Sequence, residues 1–243
     1  MQTIDDFLGG QVRLIQESEG LRATSDSVLL AASVPVRDGE TVLDVGMGNG
    51  VIPLCLNVRV PNLNFTGIEC QPDLCDLACQ NANRNHCALR IVQADISVRP
   101  SPIHGQQYHH VVTNPPFYNE PFGRHCKQVK IAYQQQMPLY DWLSFCLRHV
   151  RAKGSLTLIH RPEALPEIIA ALDGRLRGLE IFPIMSKSDE PAKRIIVRGY
   201  MNAKAPLKLY PPLIMHTPDN QRTMVAEALL RQGRGLDEVI KTT

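Results

Sequence analysis

An α/β fold, with a doubly wound, seven-stranded, mainly parallel sheet and helices on both faces, follows from three features of the sequence. From residue 41 onward, short apolar runs alternate with helical segments in the manner of βαβ units. A glycine-rich turn, GMGNG at 46–50, joins the first apolar run to the first of those helices. Polar residues able to bind a ligand then close the next runs, at the strand edge where open α/β sheets hold ligands.

Taken in order, strands are expected over 41–46 (TVLDVG), 63–69 (LNFTGIE), 89–94 (LRIVQA), 108–113 (YHHVVT), 154–160 (GSLTLIH), 178–184 and 193–200 (KRIIVRGY). Helices fall between them at about 50–60, 72–85, 138–151 and 163–173. Upstream, Thr24, Ser25 and Asp26 are cap candidates for a short helix, VLLAAS, that Pro35 ends. Residues 115–136 are polar and irregular, and a connection of that length inside a compact domain is usually a functional loop or lid. The last 40 residues predict an extended arm, a short helix in MVAEALLRQG and a polar tail. The division that results is an N-terminal segment, 1–40, and a domain, 41–243, with a C-terminal extension.

A chain of 243 residues can bury a core large enough to need no staples. Hydrophobic content of 44% with 21% charged residues excludes a disordered chain, and no apolar run approaches the roughly 20 residues of a membrane span. The start, MQTIDDFLGGQV, has no apolar signal region, so a cytoplasmic location is expected. Cys70, Cys75 and Cys79 fit no usual zinc spacing and are expected to be reduced, and none of the eight histidines is assigned to a metal. Charge is divided unevenly: residues 1–120 carry 7 Lys/Arg against 13 Asp/Glu, and residues 121–243 carry 19 against 11. Such asymmetry points the C-terminal half toward a polyanion.

In LDVGMGNG, Asp44 stands near the end of the first strand, followed by Gly46, Gly48 and Gly50. Tight turns that approach a ligand closely need glycine. A dinucleotide fingerprint, G-x-G-x-x-G, would put its third glycine one residue later, where this chain has Val51. The acid followed by G-x-G-x-G matches an S-adenosylmethionine site better. Glu69 ends the second strand and can accept hydrogen bonds from a ribose diol; Asp95, after the third, can accept one from an adenine amino group.

The fourth strand delivers Asn114, Pro115, Pro116 and Phe117 to the same edge. An exocyclic amino group is a poor nucleophile because its lone pair is delocalised. A site that accepts both N–H hydrogens localises it, and the Asn114 side-chain oxygen and the Pro115 carbonyl would be such a pair. Proline has no N–H and a fixed φ, so it turns that carbonyl outward without a competing donor. Phe117 would stack on the planar target and hold its nitrogen in line with the methyl donor.

These motifs resemble the class I S-adenosylmethionine-dependent methyltransferases of the N-P-P-[Y/F] type, and within them the family that methylates N6 of an adenine in valine tRNA. GGQVRLIQESEGLRATSDSVLLAASVP, LDVGMGNGVIPLCL, GIECQPDLCDLACQNANRN, NPPF, GSLTLIHRPEAL and APLKLYPPLIMH carry the resemblance over nearly the whole chain. It implies S-adenosylmethionine as cofactor, an RNA substrate, tRNA in particular, no obligate protein partner, and a monomer or homodimer. It also implies that the 1–40 segment covers the cofactor, with Asp26 a contact near its methionine part. Asn114 to Phe117 match the catalytic tetrapeptide, with Phe117 where adenine-N6 enzymes often carry tyrosine. Phenylalanine is common in similar guanine-N2 enzymes acting on rRNA, and N-P-P-Y also serves enzymes that methylate a glutamine amide. For RNA contact the sequence offers RHCKQVK at 124–130, with Lys193 and Arg194 as the alternative.

Overall fold

The computed structural model describes residues 1–20, 22–117 and 137–241. Residues 118–136, which hold most of the expected loop and the RHCKQVK stretch, lie outside the described residues.

The chain opens with strands β1 (Gln2–Phe7) and β2 (Val12–Glu17), an antiparallel hairpin. The sequence does not signal this hairpin, because TIDDF sets two adjacent acids, Asp5 and Asp6, between its apolar residues and shows little apolar period. Val12 and Leu14 of β2 face inward and are fully buried. Helix α1 (Ser25–Ser33) follows, and Thr24 caps it by accepting the Asp26 N–H at 3.2 Å.

The main sheet contains β3 (Thr41–Val45), β4 (Asn64–Glu69), β5 (Leu89–Gln93), β6 (Tyr108–Thr113), β7 (Val150–His160), β8 (Leu176–Met185) and β9 (Arg194–Met201). Two short strands, β10 (Lys208–Leu209) and β11 (Leu213–Ile214), both pair with β8 and bring the sheet to nine strands. They lie in the expected extended arm, whose two-residue pairings leave no periodic signal. Strand order is β10-β8-β9-β7-β6-β3-β4-β5. Pairing from β5 through β7 is parallel, and β9 runs antiparallel to both β7 and β8.

Between these strands lie α2 (Val51–Arg59), α3 (Pro72–Arg84), α4 (Leu139–Arg148) and α5 (Leu165–Leu172). Pro72 sits where a first helical turn has no use for an N–H, and Asp73 follows at the positive end of the helix dipole. One core layer joins α1 and α2 to Val42, Val112 and Ile196 of the sheet. The other joins α4 and α5 to Leu43, Val111 and Leu158. Successive residues of one strand thus face opposite layers, as the two-residue period of a strand requires. The tail adds α6 (Met224–Leu230) and α7 (Leu236–Val239); Leu236 and Val239 are buried, so this part of the polar tail is packed.

The hairpin is attached through asparagines of α3. Asn81 Oδ1 accepts the Ile15 N–H at 2.7 Å and its Nδ2 donates to the Ile15 carbonyl at 3.0 Å, while Asn85 makes the same pair of bonds with Arg13, both at 2.9 Å. These side-chain amides satisfy backbone groups that a neighbouring strand would otherwise satisfy.

Candidate active site

Strand order reverses between β3 and β6: β4 and β5 lie on one side of β3, and β6 on the other. Open α/β sheets form their binding crevice at such a point, outside the carboxyl ends of the strands. A cavity of about 800 Å³ occupies it here, lined in part by Gly46, Gly48, Glu69, Asp95, Asn114 and Pro116. That volume lies within the range of cofactor and small-molecule sites.

The three glycines have φ of +71°, +56° and +85° at Gly46, Gly48 and Gly50. Side chains rarely adopt this left-handed region, so glycine is required at all three. Gly46 also lies under Trp142 of α4: a Cβ there would meet the indole Cζ2 at 2.9 Å. Gly50 is not on the cavity wall. It starts α2 and packs toward Ala78 of α3, which would stand 3.4 Å from its Cβ.

Glu69 binds the loop. Its Oε2 accepts the Gly48 N–H at 3.0 Å, and its Oε1 accepts those of Cys70 and Gln71 at 2.9 and 3.0 Å. Asp95 accepts the Ser97 N–H at 2.8 Å through Oδ1. Asp44 is completely buried next to the loop, and neither of its oxygens has a partner among the described residues. Burial first, and the charge of Glu69 second, push its pKa well above the ordinary carboxylate value.

Asn114 lies one residue beyond β6, with its Oδ1 buried and unpartnered among the described residues. Its approach is held by a short relay in which Trp142 Nε1 donates to Thr113 Oγ1 at 2.9 Å and Thr113 donates on to the Val45 carbonyl at 2.8 Å. Pro115 is buried, and Phe117 stands off the cavity lining. The Phe117 ring meets the His160 imidazole edge to face, with centroids 4.7 Å apart and planes at 69°.

Asp26 is also off the cavity lining. Its Oδ2 pairs with Arg194 Nε at 2.7 Å. Sequence reading missed three further participants. Gln16 of β2 is buried and accepts the Ala23 N–H at 2.7 Å and Asn49 Nδ2 at 3.2 Å, tying hairpin, α1 segment and glycine loop together. Trp142 is the only tryptophan in the chain, a signal that was available; Gln16 and Arg22, which also lines the cavity, carry none. Among the described residues no group of His, Cys, Asp and Glu could hold a metal ion.

Residues 22–132 match the family model of the methyltransferase small domain. A tRNA1(Val) (adenine(37)-N6)-methyltransferase of Actinobacillus pleuropneumoniae serotype 7 is 25% identical over 215 residues, spanning 87% of this chain and 89% of that protein. One from Yersinia enterocolitica is 36% identical over 101 residues, 40% of each chain. Among solved structures, a predicted O-methyltransferase from Agrobacterium tumefaciens aligns with a TM-score of 0.72 at 26% identity, over 86% of this chain and 97% of that one. A Thermus thermophilus 16S rRNA N2 methyltransferase, solved with AdoMet and guanosine, aligns with a TM-score of 0.55 at 16% identity over 83% of this chain and 50% of that one, a likeness of fold alone. A methyltransferase family model that runs from just before α1 past the N-P-P-F edge, a methyltransferase relative that spans most of the chain, and a solved methyltransferase that aligns with most of it lead to one conclusion: the protein is an S-adenosylmethionine-dependent methyltransferase with the class I fold.

Proposed function

We propose that the protein transfers the methyl group of S-adenosylmethionine to the N6 amino group of an adenine in RNA, with tRNA as substrate and the adenosine beside the anticodon of valine tRNA as target. The observation that carries the reading is the Oδ1 of Asn114, a residue lining the cavity, buried and unpartnered among the described residues. A buried acceptor without a donor costs about 1–3 kcal/mol, a cost that an amino substrate would remove.

The cavity suits the cofactor on the same grounds. Asp44, buried behind Gly46 and off the cavity lining, has two carboxylate oxygens without a partner among the described residues, a match in charge for a cationic amino-acid group seated against the loop. Glu69, with its orientation set by backbone N–H groups, keeps lone pairs for a ribose diol, and Asp95 keeps Oδ2 for an adenine amino group. The bound cofactor supplies an electrophilic methyl group on a sulfonium. Asn114 and the Pro115 carbonyl accept the two amino hydrogens, direct the nitrogen lone pair at that methyl, and share the proton's charge as it leaves. No strong base is needed, because the amino nitrogen becomes acidic as its new bond forms. Stacking on an aromatic ring requires the target base to leave its own stack, so an unpaired or flipped nucleotide is the substrate form.

The relatives' substrate and the positive balance of the C-terminal half support RNA. Incubating the protein with methyl-labelled S-adenosylmethionine and an unmodified valine tRNA transcript, then separating the nucleosides by mass spectrometry, tests the reading. Labelled N6-methyladenosine is expected. Label in N2-methylguanosine, or no label in the tRNA, would overturn it.

A further inference from the structure

β9 runs antiparallel to β7, so its first residue, Arg194, arrives at the edge where β7 ends in His160; the register pairs His160 with Ile195. Arg161 follows His160 on the same edge. Both guanidiniums are beside the stacking residue of the N-P-P-F stretch: Arg194 Cζ is 5.0 Å and Arg161 Cζ 5.9 Å from the Phe117 ring centroid. Their partners differ. Asp26 Oδ2 holds Arg194 through Nε at 2.7 Å, and the Lys193 carbonyl accepts from Nη1 at 2.9 Å, which leaves Nη2 unpartnered among the described residues. Arg161 forms no ion pair among the described residues, and its buried Nε has no partner. Asp26 is thus the one carboxylate ion-paired with either guanidinium among the described residues. His160 registers the field, since burial and then the charges of Arg161 and Arg194 push its imidazole pKa down to about 4.

We propose that Arg161 and Arg194 form a seat for the backbone phosphate beside the target nucleotide, with Asp26 as the positioning residue that fixes Arg194. This rests on the reading of the protein as an RNA methyltransferase and adds to it where the RNA backbone is held. Chemistry favours an anion with several oxygens: each arginine has an edge of N–H donors free, and guanidinium pairs with phosphate through more than one bond. Cation–π contact with Phe117 keeps both arginines close to the ring on which the base would stack, so one nucleotide's base and an adjacent phosphate are bound at one place.

The test measures tRNA binding against salt, and KM and kcat for tRNA, in wild type and in Arg161→Gln, Arg194→Gln, Asp26→Asn and Arg177→Gln. Arg177 is the second residue of β8, at the opposite end of the strands, and is exposed. Loss of one phosphate contact should lower the slope of log K against log salt by about 0.7–0.9. The seat predicts that reduction in Arg161→Gln and in Arg194→Gln, with KM raised several-fold and kcat within about twofold. Asp26→Asn should raise KM and leave the slope unchanged. Unchanged slopes in both arginine variants, or an equal reduction in Arg177→Gln, would overturn the seat. If Arg194→Gln fails to fold, Arg161→Gln decides, because it breaks no ion pair. Wild-type protein that neither binds nor methylates tRNA would remove the functional reading and the seat together, whereas wild-type methylation with unchanged slopes overturns the seat alone.

Discussion

Gly48 and Glu69 are joined by a hydrogen bond from the glycine N–H to the carboxylate at 3.0 Å, across the ends of neighbouring strands β3 and β4. The same carboxylate accepts the N–H groups of Cys70 and Gln71, so one side chain sets the glycine loop and the turn into α3. Glu69→Gln puts an NH2 group against donors and leaves at least one N–H without an acceptor. Affinity for S-adenosylhomocysteine should fall by about 10–100-fold, with stability reduced by about 1–3 kcal/mol. Calorimetric titration and urea unfolding read the two effects.

Asp44 is predicted to favour binding at the expense of stability. Its pKa is raised in the folded protein, so its favourable contribution is complete below its ordinary value of 3.8 and is lost as pH rises from there through the folded-state value. At neutral pH it is a cost that a cationic ligand offsets. Asp44→Asn should therefore unfold at a higher temperature than wild type without ligand, and bind S-adenosylmethionine at least about tenfold more weakly. Thermal melts with and without ligand check both directions; a lower melting temperature without ligand would contradict the assignment.

His160 gives stability a pH dependence of definite sign. Burial lowers its pKa from 6.5 to about 4, so the folded state prefers the neutral ring. Its contribution is complete above about pH 6.5 and is lost progressively as pH falls toward 4, of order 3 kcal/mol in all. Unfolding free energy measured from pH 7.5 to 4 should decline less steeply in His160→Gln than in wild type.

Trp142 and Thr113 hold the approach to Asn114. Trp142→Phe keeps an aromatic side chain at this position but loses the 2.9 Å bond to Thr113, the residue before Asn114. A small displacement of Asn114 should lower kcat by about 5–20-fold while changing KM for tRNA little. Thr113→Val removes the same bond from the other side, so the double variant should be no worse than the poorer single one.

The part of the site that was legible in the sequence is the part carried by strand ends. Gly46, Gly48, Glu69, Asp95 and Asn114 each follow directly from a run of apolar residues, and parallel pairing places all those ends at one edge. Local pattern therefore sufficed to bring them together. Arg194 was named only as a fallback and His160 not at all, since their approach to Phe117 depends on β9 running against β7, and apolar periodicity carries no information on strand direction. The hairpin was illegible for a related reason. Its backbone is paired by Asn81 and Asn85, ordinary polar helix residues until their partners are seen. Asp26, expected near the cofactor's methionine part, pairs with Arg194 and lies off the cavity lining, a placement that also depends on the direction of β9.

The most direct test of amino-group methylation by the N-P-P-F edge is the activity of Asn114→Ala on unmodified tRNA, measured beside its affinity for S-adenosylhomocysteine. The orphaned Oδ1 assigned to the substrate amino group predicts a loss of at least about 100-fold in kcat, with cofactor affinity within a few-fold of wild type. Turnover near the wild-type rate would contradict the account.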